Sequence, residues 1–144
     1  MTDKNWVKIE FASDTKNVAF ARTALALFAS QLDWTLDEIE DIKVAVSEAV
    51  SNSVIHGYEL QEGVIKLEAS YEEDILTISI EDFGKGITDI AQAKETGYSS
   101  IPEERMGLGF TFMHEYMDEV VVLSEIQKGT KVTMNKKVQA QEGS

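Results

Sequence analysis

A glutamate and an asparagine stand four residues apart near the polar end of a predicted helix, in the segment SEAVSNSVIHGY from Ser47 to Tyr58. Residues with this spacing are neighbours on a helix surface, so we expect Glu48 and Asn52 to share one face. A carboxylate there can accept a proton, and a carboxamide is a neutral oxygen ligand of the kind that Mg²⁺ binds. A solvated polar face has the same composition, and on this helix alone it is the favoured interpretation.

A second candidate is the aspartate of EDFGKGI. Asp82 is in phase with the alternating apolar residues of a predicted strand over residues 75–82, so its side chain falls on the core face. A carboxylate is costly there unless it is hydrogen-bonded, and the exocyclic amino group of a purine is one suitable donor. Gly84 and Gly86 would let the backbone approach the base. The alternative is a strand-ending aspartate in an ordinary turn.

The third candidate is the segment ERMGLGF. Gly107 and Gly109 stand where a helix is predicted to begin, and a glycine-rich helix start presents unpaired backbone N–H groups to a phosphate. Arg105 would add a charged fork for a terminal phosphate, or it is a solvated surface charge. A lone pair of glycines at this spacing is weakly specific.

Two long helices are predicted in the first half of the chain. Apolar residues recur at three- and four-residue steps over 18–32 and again over 36–54, which is typical of helices with one buried face. Thr35 and Glu38 form a capping-box pattern at the start of the second helix. Gly57 is predicted to end that helix in the left-handed conformation.

Alternating and valine-rich segments predict five strands, and two shorter helical segments lie between them. The strands are expected over 7–11, 64–70, 75–82, 119–126 and 130–135, and the helical segments over 90–93 and 107–117. This order predicts an α+β, two-layer sandwich: a mostly antiparallel, mixed sheet with helices on one face. We expect residues 1–136 to form one domain and residues 137–144 to be a disordered polar tail.

Composition narrows the classes of partner. The chain has 144 residues, with 13 basic and 26 acidic side chains and a formal net charge of −13, which disfavours nucleic acid and anionic membranes and suits a basic protein partner. The same acidity also maintains solubility without any partner. There is no cysteine to form a disulfide or a thiolate metal site, and no apolar run of signal-peptide or membrane-spanning length, so we expect a cytoplasmic protein.

In their order along the chain, these segments resemble the GHKL, or Bergerat-fold, ATP-binding family of gyrases, chaperones, histidine kinases and mismatch-repair ATPases. The matching motifs are the N box at Glu48 and Asn52, DFGKG at 82–86, GLG at 107–109 and the closing Gly129-Thr130. A P-loop sequence is absent. Within the family, FAR at 20–22, the segment 37–58, ERMGLGF and YMDEVVV make residues 11–132 similar to the anti-sigma factor serine kinases of sporulation.

The resemblance implies a dimeric protein that binds ATP or ADP with Mg²⁺. Such a protein inhibits a sporulation sigma factor of the sigma F type, and it phosphorylates and thereby inactivates an anti-anti-sigma factor on serine. Carried over by position, Glu48 corresponds to the catalytic base, Asn52 to the Mg²⁺ ligand and Asp82 to the residue that reads adenine. Thr130 corresponds to a hydroxyl that supports the contact between adenine and the aspartate.

The remaining roles concern the backbone, the phosphates and the partners. Arg105 corresponds to a phosphate-facing arginine, and Arg22 to a first-helix arginine that touches the protein partners. The residues where the backbone approaches the nucleotide are Gly84, Gly86, Gly107 and Gly109. On this resemblance, residues 51–53 are expected to face magnesium and phosphate, and residues 87–105 to form a lid over the triphosphate.

Three residues depart from the family pattern. Ser51 replaces a threonine but keeps a hydroxyl, Met106 stands where a serine often precedes the second glycine box, and Thr88 replaces a proline. Met106 and Thr88 are expected at the rim of the lid, where they affect its closure more than nucleotide binding.

Alternative functions share parts of this pattern. A sensor histidine kinase needs a phospho-accepting histidine before the ATP-binding part, whereas His56 and His114 both lie within it. A stress-response kinase of the anti-sigma B type would differ in its partner alone. A module that sequesters a sigma factor, with ATP only as a structural ligand, would not need Glu48.

Overall fold

The computed structural model describes residues 3–87 and 101–139, with side chains described for 3–87 and 106–139. The described part of the chain contains five strands, three α-helices and one π-helical turn that continues the second helix. In chain order they are β1 (Lys4–Ala12), α1 (Lys16–Ala29), α2 (Leu36–Asn52), the π-helical turn (Ser53–Gly57), β2 (Val64–Glu72), β3 (Ile75–Asp82), α3 (Ile101–Tyr116), β4 (Glu119–Glu125) and β5 (Gly129–Lys137). None of the helices within these residues is both long and apolar enough to cross a membrane.

The five strands form one sheet in the order β1-β2-β3-β5-β4. All four pairings are antiparallel, so the prediction of an α+β fold with helices on one face is confirmed, but the sheet is not mixed. Alternate residues of β2 and β3 are buried, as expected for a sheet with one covered face. On β3 this alternation ends with the buried Asp82.

Helix α2 lies between α1 and α3 and packs against both. Its predicted core stripe is confirmed at Ile42, Val46 and Val50, which are fully buried. Leu36 was predicted to belong to this stripe and does not, because it opens the first turn of the helix and is 86% exposed. The apolar stripe of α2 therefore starts one turn later than the periodicity indicates.

The start of α2 follows the predicted capping box. The Thr35 hydroxyl accepts from the Glu38 backbone N–H at 3.1 Å, and the Glu38 carboxylate accepts from the Thr35 N–H at 2.9 Å. Two backbone donors that a helix start leaves unpaired are thereby satisfied, which stabilises the helix by about 1 kcal/mol.

The end of α2 differs from the prediction. The helix continues into the π-helical turn, and Gly57 is not left-handed; the positive φ values belong to Glu59 (52°) and Leu60 (65°). Gly57 meets a requirement for space instead, because a Cβ atom there would lie 3.0 Å from the Asp82 carboxylate. Gly57 therefore lets the end of the π-helical turn pack directly against Asp82.

Helix α3 begins at Ile101, six residues before the predicted start at Gly107. Pro102 explains the earlier start, since proline lacks an N–H and is tolerated in the first helical turn. Gly107 and Gly109 consequently lie inside the helix and do not form its N-terminus.

The last strand also extends further than predicted. Strand β5 continues to Lys137, and Lys136 is buried with its ammonium donating to the Tyr116 carbonyl at 2.5 Å. This contact places a positive charge at the carboxyl end of α3, where the helix dipole favours it. Of the predicted tail, Lys137 therefore belongs to the sheet. The predicted helical segment 90–93 and residues 140–144 lie outside the described residues.

Candidate functional site

The candidate site is built around Asp82, which is 4% exposed at the end of β3. Its carboxylate accepts from the Ser53 hydroxyl at 2.8 Å and from the Gly84 backbone N–H at 3.0 Å. Burial raises the pKa of the Asp82 carboxyl above its usual value, and the donors from Gly84, Ser53 and the Thr130 backbone act against this increase. The structure thus confirms that Asp82 faces the core, and it supplies donors that partly compensate the buried charge.

Ser53 was expected to face magnesium and phosphate, and this prediction is wrong. It is the first residue of the π-helical turn, is buried, and donates to Asp82. The sequence did contain a signal for this contact, because Ser53 lies three residues after Val50 on the buried stripe of α2. A hydroxyl on that stripe needs a partner within the core.

The glycines next to Asp82 allow three backbone segments to meet. A Cβ atom on Gly84 would lie 2.1 Å from the Gly57 carbonyl oxygen, which accepts from the Lys85 N–H at 2.9 Å. Gly129 has a φ of 121°, and a Cβ atom there would lie 2.0 Å from the Asp82 carbonyl oxygen. Gly86, with a φ of 79°, passes close to the Glu125 carbonyl. Gly84 and Gly86 therefore permit close backbone packing within the protein.

Tyr58 also positions this region, and sequence reasoning missed it. Its hydroxyl donates to the Val64 carbonyl at 2.6 Å and accepts from the Phe83 N–H at 2.7 Å. A Cβ atom on Gly63 would overlap the Tyr58 ring, at 2.4 Å from the nearest carbon. Tyr58 therefore connects the end of the π-helical turn to both β2 and the residue after Asp82.

Glu48 and Asn52 converge on Gly109 of α3. A Cβ atom on Gly109 would lie 3.0 Å from Glu48 Oε2 and 3.3 Å from Asn52 Nδ2, so the two side chains share one face of α2 as predicted. Asn52 Nδ2 is the one buried side-chain nitrogen or oxygen atom without a hydrogen-bond partner among the described residues. The absence of a side chain at Gly109 allows α3 to lie directly over this pair.

Thr130 lies opposite Asp82 in the sheet register, and Ser124 lies opposite Thr130 on the next strand. The Thr130 hydroxyl is 2.8 Å from Ser124 Oγ, which also donates to the Gly129 carbonyl at 3.1 Å. The Ile87 N–H donates to the same Ser124 oxygen at 2.7 Å. Thr130 is thus placed beside Asp82 as predicted, and Ser124 is a neighbour that sequence reasoning missed.

Other predicted residues lie elsewhere. Gly107 is buried within α3, and Met106 is buried in the core rather than at the rim of a lid. Arg22 is half-buried on α1 and takes no part in the hydrogen bonds around Asp82. Arg105 belongs to the first turns of α3, but its side chain lies outside the described residues, as do Thr88 and most of the predicted lid.

Comparison with known proteins places this geometry in a family. Residues 11–136 match the histidine kinase-like ATPase domain. The anti-sigma F factor of Clostridium botulinum (strain Eklund 17B / Type B) is 54% identical over 136 residues, which cover 93% of this chain and 95% of the relative. The anti-sigma F factor of Clostridium kluyveri (strain ATCC 8527) is 53% identical, with 92% and 94% covered, and that of Clostridium perfringens (strain SM101) is 48% identical, with 93% and 97% covered.

A solved structure supports the fold. The blue-light activated histidine kinase of Erythrobacter litoralis EL346 superposes with a TM-score of 0.60 at 19% sequence identity. The match covers 90% of this chain and 43% of the histidine kinase, so the chain spans less than half of that protein. From the matched domain and from relatives that are similar over more than nine-tenths of its length, the chain belongs to the histidine kinase-like ATPase family of the GHKL type and, within it, to the anti-sigma F factors.

Proposed function

We propose that this protein is an ATP-dependent protein serine kinase that also binds and inhibits a sigma factor of the sigma F type. Its phosphoryl acceptor is a serine of an anti-anti-sigma factor, and it acts as a cytoplasmic homodimer. The identity of its relatives as anti-sigma F factors supports the sigma-factor partner, and the kinase-type ATPase domain supports the use of ATP. The family resemblance supports the serine specificity, the anti-anti-sigma factor and the dimer.

Adenine would be recognised at Asp82. The carboxylate is buried and receives three donors from Ser53, Gly84 and Thr130, which favour its ionised form against the cost of burial. An ionised carboxylate is a strong acceptor for an exocyclic amino group. Asp82 is therefore suited to select a 6-amino purine.

The phosphates and Mg²⁺ would lie beside Asn52. Its buried Nδ2 lacks an acceptor among the described residues, and a phosphate oxygen would supply one. The carboxamide oxygen is a ligand of the type that Mg²⁺ prefers, and this ion commonly takes its other ligands from phosphates and water. Asn52 is therefore the proposed protein ligand of Mg²⁺. Bound Mg²⁺ would offset the charge of the transferring phosphoryl group.

Glu48 would act as the general base. It lies one helical turn before Asn52 on the same face of α2, and both side chains approach Gly109. In this position its carboxylate can accept the hydroxyl proton of a partner serine as the serine oxygen attacks the terminal phosphorus. The convergence of Glu48 and Asn52 on Gly109 is the observation that carries the kinase proposal.

The test is a transfer assay with Mg²⁺, γ-labelled ATP and a candidate anti-anti-sigma factor. We expect label on a serine of the partner, and we expect Glu48→Gln to bind ATP but to lose most of the transfer. Glu68→Gln removes a carboxylate of the same type from the exposed face of β2 and should leave transfer unchanged. Undiminished transfer by Glu48→Gln would rule out Glu48 as the base.

Partner binding is tested separately. Gel filtration with light scattering should show a dimer, and a sigma F type factor should bind in the presence of adenine nucleotide. Arg22→Ala should weaken binding of a protein partner without changing ATP affinity, because Arg22 lies on α1 and outside the Asp82 hydrogen bonds. Firm ATP binding without transfer would favour a nucleotide-gated sequestration module, and a preference for a stress-response sigma factor would favour the anti-sigma B type.

A further inference from the structure

Ser124 connects three parts of the candidate site through one hydroxyl group. It lies on β4 in register with Thr130, which in turn is in register with Asp82, so these three side chains form a row across β4, β5 and β3. Side chains in one row of an antiparallel sheet point to the same face. The Ser124 oxygen has three partners: the Ile87 N–H at 2.7 Å, the Gly129 carbonyl at 3.1 Å and the Thr130 hydroxyl at 2.8 Å.

The valences of these groups determine the direction of the bond between the two hydroxyls. A serine hydroxyl has one proton to donate and two lone pairs. The Ile87 N–H can only donate to Ser124, and the Gly129 carbonyl can only accept from it. All three contacts are satisfied only if Thr130 donates its proton to Ser124.

This direction determines what Thr130 can offer to a ligand. Once its proton points to Ser124, the Thr130 oxygen has only lone pairs left and acts as an acceptor beside the acceptor Asp82. A 6-amino purine presents N–H donors to these two acceptors. A 6-oxo purine presents a carbonyl oxygen instead, so that acceptor faces acceptor and no hydrogen bond forms. Unpaired buried polar groups of this kind are a strong source of discrimination between ligands.

We propose that Ser124 is a specificity-determining positioning residue that makes the nucleotide site select 6-amino over 6-oxo purines by holding the Thr130 hydroxyl as an acceptor. The proposal rests on the proposed ATP-binding function. In this proposal Ser124 does not contact the nucleotide and acts only by orienting the Thr130 hydroxyl.

The test compares ATP with inosine triphosphate, which carries an oxygen at position 6. Dissociation constants with Mg²⁺ are measured by calorimetry or by competition for the wild-type protein and for Ser124→Ala. In the variant the Thr130 hydroxyl can rotate and donate to an oxo group. We expect the ratio of the inosine to the adenosine dissociation constant to fall by about tenfold, the factor that one ordinary hydrogen bond provides.

Control variants separate this effect from a loss of structure. Ser124→Thr keeps the hydroxyl and should retain the wild-type ratio. Ser79→Ala removes a hydroxyl from β3, on the other side of β5, and should also retain it. Thr130→Val should lower the ratio, and adding Ser124→Ala to it should cause no further change, because both act through one hydroxyl. If Ser124→Ala does not fold, Ser124→Cys replaces it, since a thiol keeps the shape but bonds weakly.

Three results would overturn the proposed role of Ser124. Ser124→Ala weakening both nucleotides by the same factor would show a merely structural role and overturn the proposal while leaving ATP binding intact. Additive effects of the two substitutions on the ratio would overturn it as well. A wild-type protein that binds neither nucleotide would overturn the proposed function together with this inference.

Discussion

At the scale of single residues, Asp82 depends on the donors around it. Ser53 supplies one of them at 2.8 Å from within the core, although neither residue is close to the other in sequence. Removing a donor from a buried carboxylate leaves part of its charge uncompensated. Ser53 therefore contributes both to the stability of the fold and to the state of the proposed adenine-binding group.

We predict that Ser53→Ala lowers the free energy of unfolding by about 1–3 kcal/mol, the usual cost of leaving a buried polar group without its partner. Chemical denaturation at neutral pH measures this change. Ser51→Ala removes a hydroxyl that is only half-buried on the same helix and should change stability much less. Equal effects of the two substitutions would contradict the assigned contact.

A second prediction at this scale concerns pH. Burial raises the pKa of Asp82 above its usual 3.8, so the folded protein binds this proton more tightly than the unfolded chain. The resulting stabilisation is fully present below about pH 4 and is lost as pH rises through the folded-state pKa. We expect wild type to lose stability relative to Asp82→Asn across this range. Denaturation of both proteins at a series of pH values measures this change. If wild type instead gained stability relative to Asp82→Asn as pH rises, the pKa of Asp82 would be lowered in the folded protein.

At the scale of the elements, α2 and α3 hold the proposed catalytic pair between them. Gly109 lies inside α3, where alanine would raise helix propensity by about 1 kcal/mol. The added methyl group would, however, meet Glu48 Oε2 at 3.0 Å and Asn52 Nδ2 at 3.3 Å. Both contacts are with ends of side chains, which can move.

Gly109→Ala should therefore fold with little loss of stability while transferring phosphate at least about tenfold more slowly, because small displacements of catalytic groups reduce rates strongly. Thermal unfolding and the labelling assay together measure the two effects. Leu108→Ala, on the exposed neighbouring residue, is the matched control for both. A variant with full transfer activity would show that the positions of Glu48 and Asn52 do not depend on this glycine.

The elements also show what sequence reasoning can predict. Local signals were sufficient for the capping box at Thr35, the period of the strands and the core-facing Asp82, because each depends on neighbours along the chain. The position of Gly107 inside α3 does not follow from the glycine spacing, which is typical of a helix start, whereas Pro102 is typical of a first helical turn. Spacing indicates that Ser53 is buried, but it does not identify its partner Asp82. The contacts of Ser53, Tyr58 and Ser124 could not be predicted, since they form only through the register of the sheet and the turn after α2.

At the scale of the whole molecule, the residues that form the core and the residues of the candidate site occupy different parts of the fold. The sheet and the buried stripe of α2 form the core, and the polar groups of the site lie where α2 and β3 end and β5 begins. The pairing of β5 with β3 on one side and with β4 on the other positions Asp82, Thr130 and Ser124 in one row. The overall charge of −13 acts at longer range, on the approach of partners rather than on this geometry.

The last prediction follows from that charge. A basic sigma factor surface would be attracted over a distance that shrinks as salt screens the field, to about 10 Å at 0.1 M. We expect the association rate constant to fall by about tenfold between 50 mM and 500 mM NaCl, with a much smaller change in the dissociation rate, as is usual for electrostatically steered binding. Stopped-flow association measures this dependence. ATP is kept saturating, so that the protein is fully nucleotide-bound at every salt concentration. An association rate that does not depend on salt would indicate that the acidic residues serve solubility alone and that apolar contacts select the partner.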